Sequence, residues 1–124
     1  ETGVRIMNAG LLHHSTCGEP PLPSSSVTLT VDNSVPPAVV RIAWQSSADE
    51  RTGEKDVVRY AVYRRRSAVP EFAEPLASVP AGNAAYSFVD SDVKTGESWV
   101  YGVSAEDCSG QLSSIQASVP AVIP

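Results

Sequence analysis

Three groups of residues in this chain could do chemistry. His13, His14 and Cys17 stand together near the start, with Cys108 far along the chain. Two imidazoles and two thiolates are the donor set of a tetrahedral zinc site. Adjacent histidines diverge, however, and a disulfide would consume both sulfurs, so no metal is expected there. The segment 46–56, SSADERTGEKD, carries Asp49, Glu50, Glu54 and Asp56. Calcium needs six to eight oxygens in close register. Arg51 and Lys55 dilute the acidic residues, so a solvated polar loop is expected instead. The run Arg64, Arg65 and Arg66 would suit an acidic partner, such as loop 46–56 of a neighbouring copy. It would equally serve to keep an edge strand soluble and unpaired. A Ser–His–acid device needs a histidine, and both histidines lie in the N-terminal stretch. There is no glycine-rich phosphate loop. The expectation is a chain with no catalytic residues, no metal and no cofactor.

Composition narrows the partners. The 124 residues suffice for one domain. Nine basic and fourteen acidic residues give a net charge of −5. Nucleic-acid binders normally carry a basic excess or stripe, and an acidic chain is not drawn to an anionic membrane surface. No apolar run approaches the length of a membrane-spanning helix. The expected partners are other protein domains or copies of the same chain. Two cysteines, an even count, suggest a disulfide and an oxidising compartment.

The elements that would position these residues are strands. In VVRIAW, Val40, Ile42 and Trp44 share one face and Arg41 takes the other. Val58, Tyr60 and Val62 do the same in VVRYAVYRR, as do Trp99, Tyr101, Val103 and Ala105 in WVYGVSA. A period of two predicts strands with one buried face, and several short ones predict a two-sheet sandwich. The core is therefore expected from Val40, Ile42, Trp44, Val58, Tyr60, Val62, Trp99, Tyr101 and Val103. Seven strands are expected: near 27–31, 39–45 and 57–65, a short edge piece in the proline-broken stretch 69–82, then 85–89, 98–106 and 112–119. Tyr63 and Tyr86 are read as facing outward. Asp90, Asp92 and Asp107 fit turn chemistry, in which Asp side chains bond to backbone two residues on.

The ends read differently. In residues 1–16, Val4, Met7, Leu11 and Leu12 have near-helical spacing, so this is a short N-terminal segment of helical pattern. Residues 17–25 are a proline-rich linker, stiff and extended. Residues 26–119 hold the sandwich, and 120–124 form a tail or a final strand extension.

With those elements placed, residues 26–119 resemble a fibronectin type III domain of bacterial type. The resemblance rests on Trp44 at the end of its strand and on Tyr60-Ala61-Val62-Tyr63-Arg64. It rests also on FVDSDVKTG followed by WVYGVSAED, with Val103, Ala105, Asp107 and Gly110 in the family's spacing, and on the GQLS turn after it. It implies an all-β, seven-stranded immunoglobulin-like sandwich. One departure concerns the family's corner tyrosine, whose hydroxyl bonds to upstream backbone. Trp99 occupies that place, and an indole N–H can donate but not accept. The implied sandwich brings the approach to its first strand and the loop after its sixth to one pole, so Cys17 and Cys108 would pair there.

Two functions compete at this stage. One is a structural or adhesive module of a secreted or cell-surface protein, bacterial in type, giving spacing or protein contacts. The other is a subunit of an extracellular pilin-like filament. There Val4, Ile6, Met7, Leu11 and Leu12 would bury against neighbours while Arg64, Arg65 and Arg66 pair with the next copy.

Overall fold

A computed structural model describes residues 20–24, 26–51 and 55–124. The N-terminal segment with Val4, Ile6, Met7, Leu11 and Leu12, together with His13, His14 and Cys17, lies outside the described residues. The alternating segments form strands β1 (Val27–Asp32), β2 (Val39–Gln45), β3 (Val57–Arg66), β4 (Ala77–Pro80), β5 (Ala85–Asp90), β6 (Ser98–Asp107), β7 (Gln116–Ala117) and β8 (Ala121–Val122). A one-turn helix, α1 (Ala48–Arg51), interrupts the connection between β2 and β3. One sheet has the order β1-β2-β5; the other runs β4-β3-β6-β7, with β8 also on β6. Every pairing is antiparallel. This is an immunoglobulin-like sandwich of fibronectin type III arrangement.

The core sits between the two sheets. Val40, Ile42, Tyr60, Val62, Tyr101 and Val103 are fully enclosed, and Trp44 and Trp99 nearly so. Val58 departs from the expected core, being 38% exposed, while Val57 turns inward. The cause is a register shift between Val57 and Arg59, which pair with Asp107 and Glu106. Two residues of β3 step past one of β6, the signature of a β-bulge, and the extra residue loses its place on the face. Beyond the bulge the alternation resumes.

Tyr86 is also buried rather than outward. Its strand aligns Trp44 with Tyr86, Ile42 with Phe88 and Val40 with Asp90. Directly paired residues share a face, so the even positions of β5 look into the core and Val89 looks out. Tyr63 is buried for a different reason. It faces away from the sandwich, but Phe72 packs against it with ring centroids 6.0 Å apart. The hydroxyls of Tyr63 and Ser104 lie 3.1 Å apart beneath this cover.

The seventh strand position is filled by two short pieces. Ser118 donates its amide to the Tyr101 carbonyl at 2.7 Å, and Ile123 donates to that of Glu97 at 2.8 Å. Pro120, between them, has no amide to give. The sandwich thus continues past residue 119. Ala121 and Ile123 enter the core at 2% exposure each, which corrects the reading of 120–124 as a tail.

Gly102 shows how close the outer cover lies. A Cβ built there would fall well inside van der Waals contact of Ile115 Cγ2 and 3.0 Å from Phe72 Cζ. Overpacking of this kind typically costs about 1–3 kcal/mol. Gly102→Ala should lower the urea midpoint accordingly with an unchanged slope; an unaltered midpoint would show that Ile115 and Phe72 do not press on the sheet.

Candidate functional site

Strands β3 and β6 run the length of the sandwich, pairing Val57 with Asp107 at one end and Arg66 with Trp99 at the other. The polar groups of interest gather at these two ends. At the first, β2 leads into Ser47, which caps α1: its hydroxyl accepts from the Asp49 amide at 3.1 Å and its carbonyl from the Glu50 amide at 3.1 Å. A serine cap of this type satisfies amides that a helix start leaves unpaired. Glu50 then turns toward the core. Its carboxylate accepts from the Tyr60 hydroxyl at 2.5 Å and the Tyr86 hydroxyl at 2.8 Å. The two phenols receive backbone amides in return, Tyr60 from Ser47 at 2.8 Å and Tyr86 from Gly82 and Asn83 at 2.9 and 3.0 Å. Burial first, then the bond to Glu50, raises both phenols above the usual tyrosine range, so they remain donors. Trp44 stacks on Tyr86 at 5.8 Å, and Tyr60 and Tyr86 are 4.7 Å apart.

The expected solvated loop is therefore, in its first half, a folded part of the sandwich. The described part of the linker, residues 20–24, is likewise docked. Pro21 and Ser24 are buried. Leu22 donates its amide to Asp49 Oδ2 at 3.0 Å, and its carbonyl accepts from Ser47 Oγ at 2.5 Å.

Carboxylates crowd beneath this clasp. The Asp56 amide donates to the Asp49 carbonyl at 3.1 Å. Both Asp56 side-chain oxygens are enclosed, with no hydrogen-bond partner among the described residues. Asp107, 1% exposed, holds the turn after β6. Its Oδ1 accepts from the Ser109 and Gln111 amides at 3.0 and 2.8 Å. That turn carries exposed Cys108 and closes through Gly110 at φ 87°, a left-handed conformation that favours glycine. Among the described residues no cysteine is free, and no cluster of histidine, cysteine and acidic groups could hold a metal ion.

The arginines lie at the opposite end, and each is engaged within its own domain. Arg64 donates to Asp90 Oδ2 and to the Asp92 carbonyl, both at 2.8 Å. Asp90 also accepts from the Tyr101 hydroxyl at 2.7 Å and closes a turn onto the Asp92 amide. Arg66 pairs with Glu97 at 3.2 Å. Arg64 and Arg66 place their guanidinium carbons 4.0 and 4.4 Å from the Trp99 ring centroid. Arg65 lies over Phe72 and donates to the Val69 carbonyl at 2.7 Å. All three arginines of the run are thus engaged within the sandwich itself. A groove beside Arg64 and Trp99 is walled by Ala73, Glu74, Pro75 and Leu76.

Trp99 rebuilds the corner with a different partner. Its Nε1 donates to Glu97 Oε1 at 3.1 Å, and that carboxylate also takes the Lys94 amide at 2.7 Å. These two bonds, the Lys94 amide foremost, hold Glu97 below its ordinary pKa. A side-chain carboxylate thus stands where backbone served the family's tyrosine.

Glu50 with its two phenols, and the Ser47–Asp49 grip on Leu22, escaped sequence reasoning. The one available signal was Ser47 followed by Asp49 and Glu50 directly after a strand, a helix-start pattern in a stretch too short to show periodicity.

The fold is that of a fibronectin type III domain, and solved structures of this kind match most of the chain. A titin module from human cardiac muscle superposes over 83% of this chain and 92% of its own, with a TM-score of 0.59 and 16% identity. A Fn3-like protein from Clostridium thermocellum matches 82% of this chain and 94% of its own, with a TM-score of 0.55 and 18% identity. The twitchin kinase region from C. elegans matches over 86% of this chain, with a TM-score of 0.64 and 18% identity; this chain spans 17% of that one. No protein-family model matches, and no curated protein is matched by sequence. Among the described residues no helix is long and apolar enough to cross a membrane.

Asp56 supplies a test with a definite sign. Burial, reinforced by Asp107 and Asp49, raises its pKa in the folded chain. The fold therefore binds more protons than the unfolded chain between the two pKa values, and stability falls as pH rises through that window. The penalty is absent below about pH 4, the unfolded value, and grows as pH rises from there through the folded value. Asp56→Asn should raise the thermal midpoint at pH 7, with the gain shrinking toward pH 3.5. A loss at pH 7 would show that the Asp56 charge is stabilising.

Proposed function

We propose that this chain is a non-catalytic spacer and protein-contact module of a secreted or cell-surface protein, working in an oxidising compartment with Cys17 joined to Cys108. The observation that carries this reading is the use of the buried and half-buried charged groups: Glu50, Arg64, Asp90 and Asp107 are each spent on holding a strand, turn or helix in place. Such groups build a scaffold rather than a reacting centre. The disulfide is supported by the place of Cys108. Its turn lies at the end of the sandwich where Pro20–Ser24 docks, three residues after Cys17. A bridge closing roughly 90 residues would add about 4–5 kcal/mol in the chain-entropy treatment.

The filament reading requires burial of residues 1–16 against another copy, with Arg64–Arg66 pairing across the joint. The engagement of all three arginines at home favours the spacer. Light scattering across a concentration series separates the two: the spacer gives the mass of a single chain throughout. A polymer lost on deletion of residues 1–16 would reverse the choice. Alkylation without reductant should add no mass, and after reduction it should add two adducts.

A further inference from the structure

We propose that the Ser47–Asp49 clasp is a fixed-angle joint, which grips the incoming polypeptide by its backbone and sets the direction in which it meets the sandwich. The approach reads Pro20-Pro21-Leu22-Pro23. Proline fixes φ near −65° and restricts the residue before it, so this stretch is a stiff strut of polyproline character. Within it Leu22 alone has an amide N–H, which donates to Asp49 Oδ2 at 3.0 Å. The Ser47 hydroxyl donates to the carbonyl of the same residue.

The grip reads the main chain, since the Leu22 side chain is 54% exposed. Two bonds of opposite polarity on one residue of a stiff strut fix its direction as well as its position. Pro21 and Ser24, both buried, seat it on either side. The clasp is in turn bolted to the core. Ser47 donates its amide to Tyr60, whose hydroxyl meets Glu50, and Glu50 also receives Tyr86. A flexible tether would need none of this. The segment so held, Pro20–Pro23, therefore enters the sandwich in one set direction.

This use of the clasp rests on the spacer reading, but its geometry is tested separately, by NMR on the full chain. In the wild type the Leu22 amide should be protected from exchange, and its residual dipolar coupling should fit the alignment tensor of the β3 and β6 amides. Asp49→Ala should speed Leu22 exchange about ten- to a hundredfold, as loss of a hydrogen bond to a charged group implies, and remove the coupling from the common tensor. Val62 and Val103 should keep their protection. Ser47→Ala serves as the second variant should Asp49→Ala fail to fold. An unprotected Leu22 in the wild type, or a coupling outside the tensor, overturns the joint. So does Leu22 protection unchanged in either folded variant. Oligomerisation in solution would sink the spacer reading and leave the Leu22 measurements as they are.

Discussion

The carboxylate of Glu50 stands where the core of this sandwich meets its end, and much of the structure above it depends on that position. Two phenols rise from opposite sheets, Tyr60 from β3 and Tyr86 from β5, and both donate to it. A buried hydroxyl without a partner costs about 1–3 kcal/mol, so either tyrosine alone would be a liability there. Glu50 satisfies both and ties the two sheets together. Its own backbone belongs to α1, a single turn that would not persist alone. The helix stands because Glu50 holds it from below and Ser47 caps it from above. Only then are Ser47 and Asp49 in place to receive Leu22.

The two ends of the sandwich solve the same problem with opposite charges. At one, an acidic residue receives neutral phenols. At the other, Arg64 enters from the core side of β3 and is neutralised by Asp90, which also takes the Tyr101 hydroxyl. Burying a guanidinium requires both pairing and hydrogen bonds, and Asp90 with Asp92 supplies them. Trp99 adds an aromatic face for Arg64 and Arg66. Acidic and basic side chains thus finish the two ends where apolar packing stops.

Much of the fold was legible because alternation reports burial directly. Val40, Ile42 and Trp44 face the core as their period of two requires. The failures have separate physical causes. Val58 was displaced by a bulge, which adds one residue to a strand and leaves no mark in residue type. Tyr86 was misplaced because the face of β5 is set by its pairing with β2, a long-range fact. Tyr63 lies under the 67–76 segment, whose prolines suppress any period. The arginine run was visible, but its partners Asp90, Asp92 and Glu97 are about 26–31 residues away in sequence and met it only through the sheet register. The clasp on Leu22 joins residues 25 and 27 apart across a loop, where no pattern could signal it.

The dependence of the end structure on Glu50 is tested most directly by a double-mutant cycle with Glu50→Ala and Tyr60→Phe, read by urea denaturation. Groups that hold one another should give non-additive losses, with a coupling of about 0.5–3 kcal/mol. Losses that add to within about 0.5 kcal/mol would contradict it, and would mean that α1 stands on packing alone.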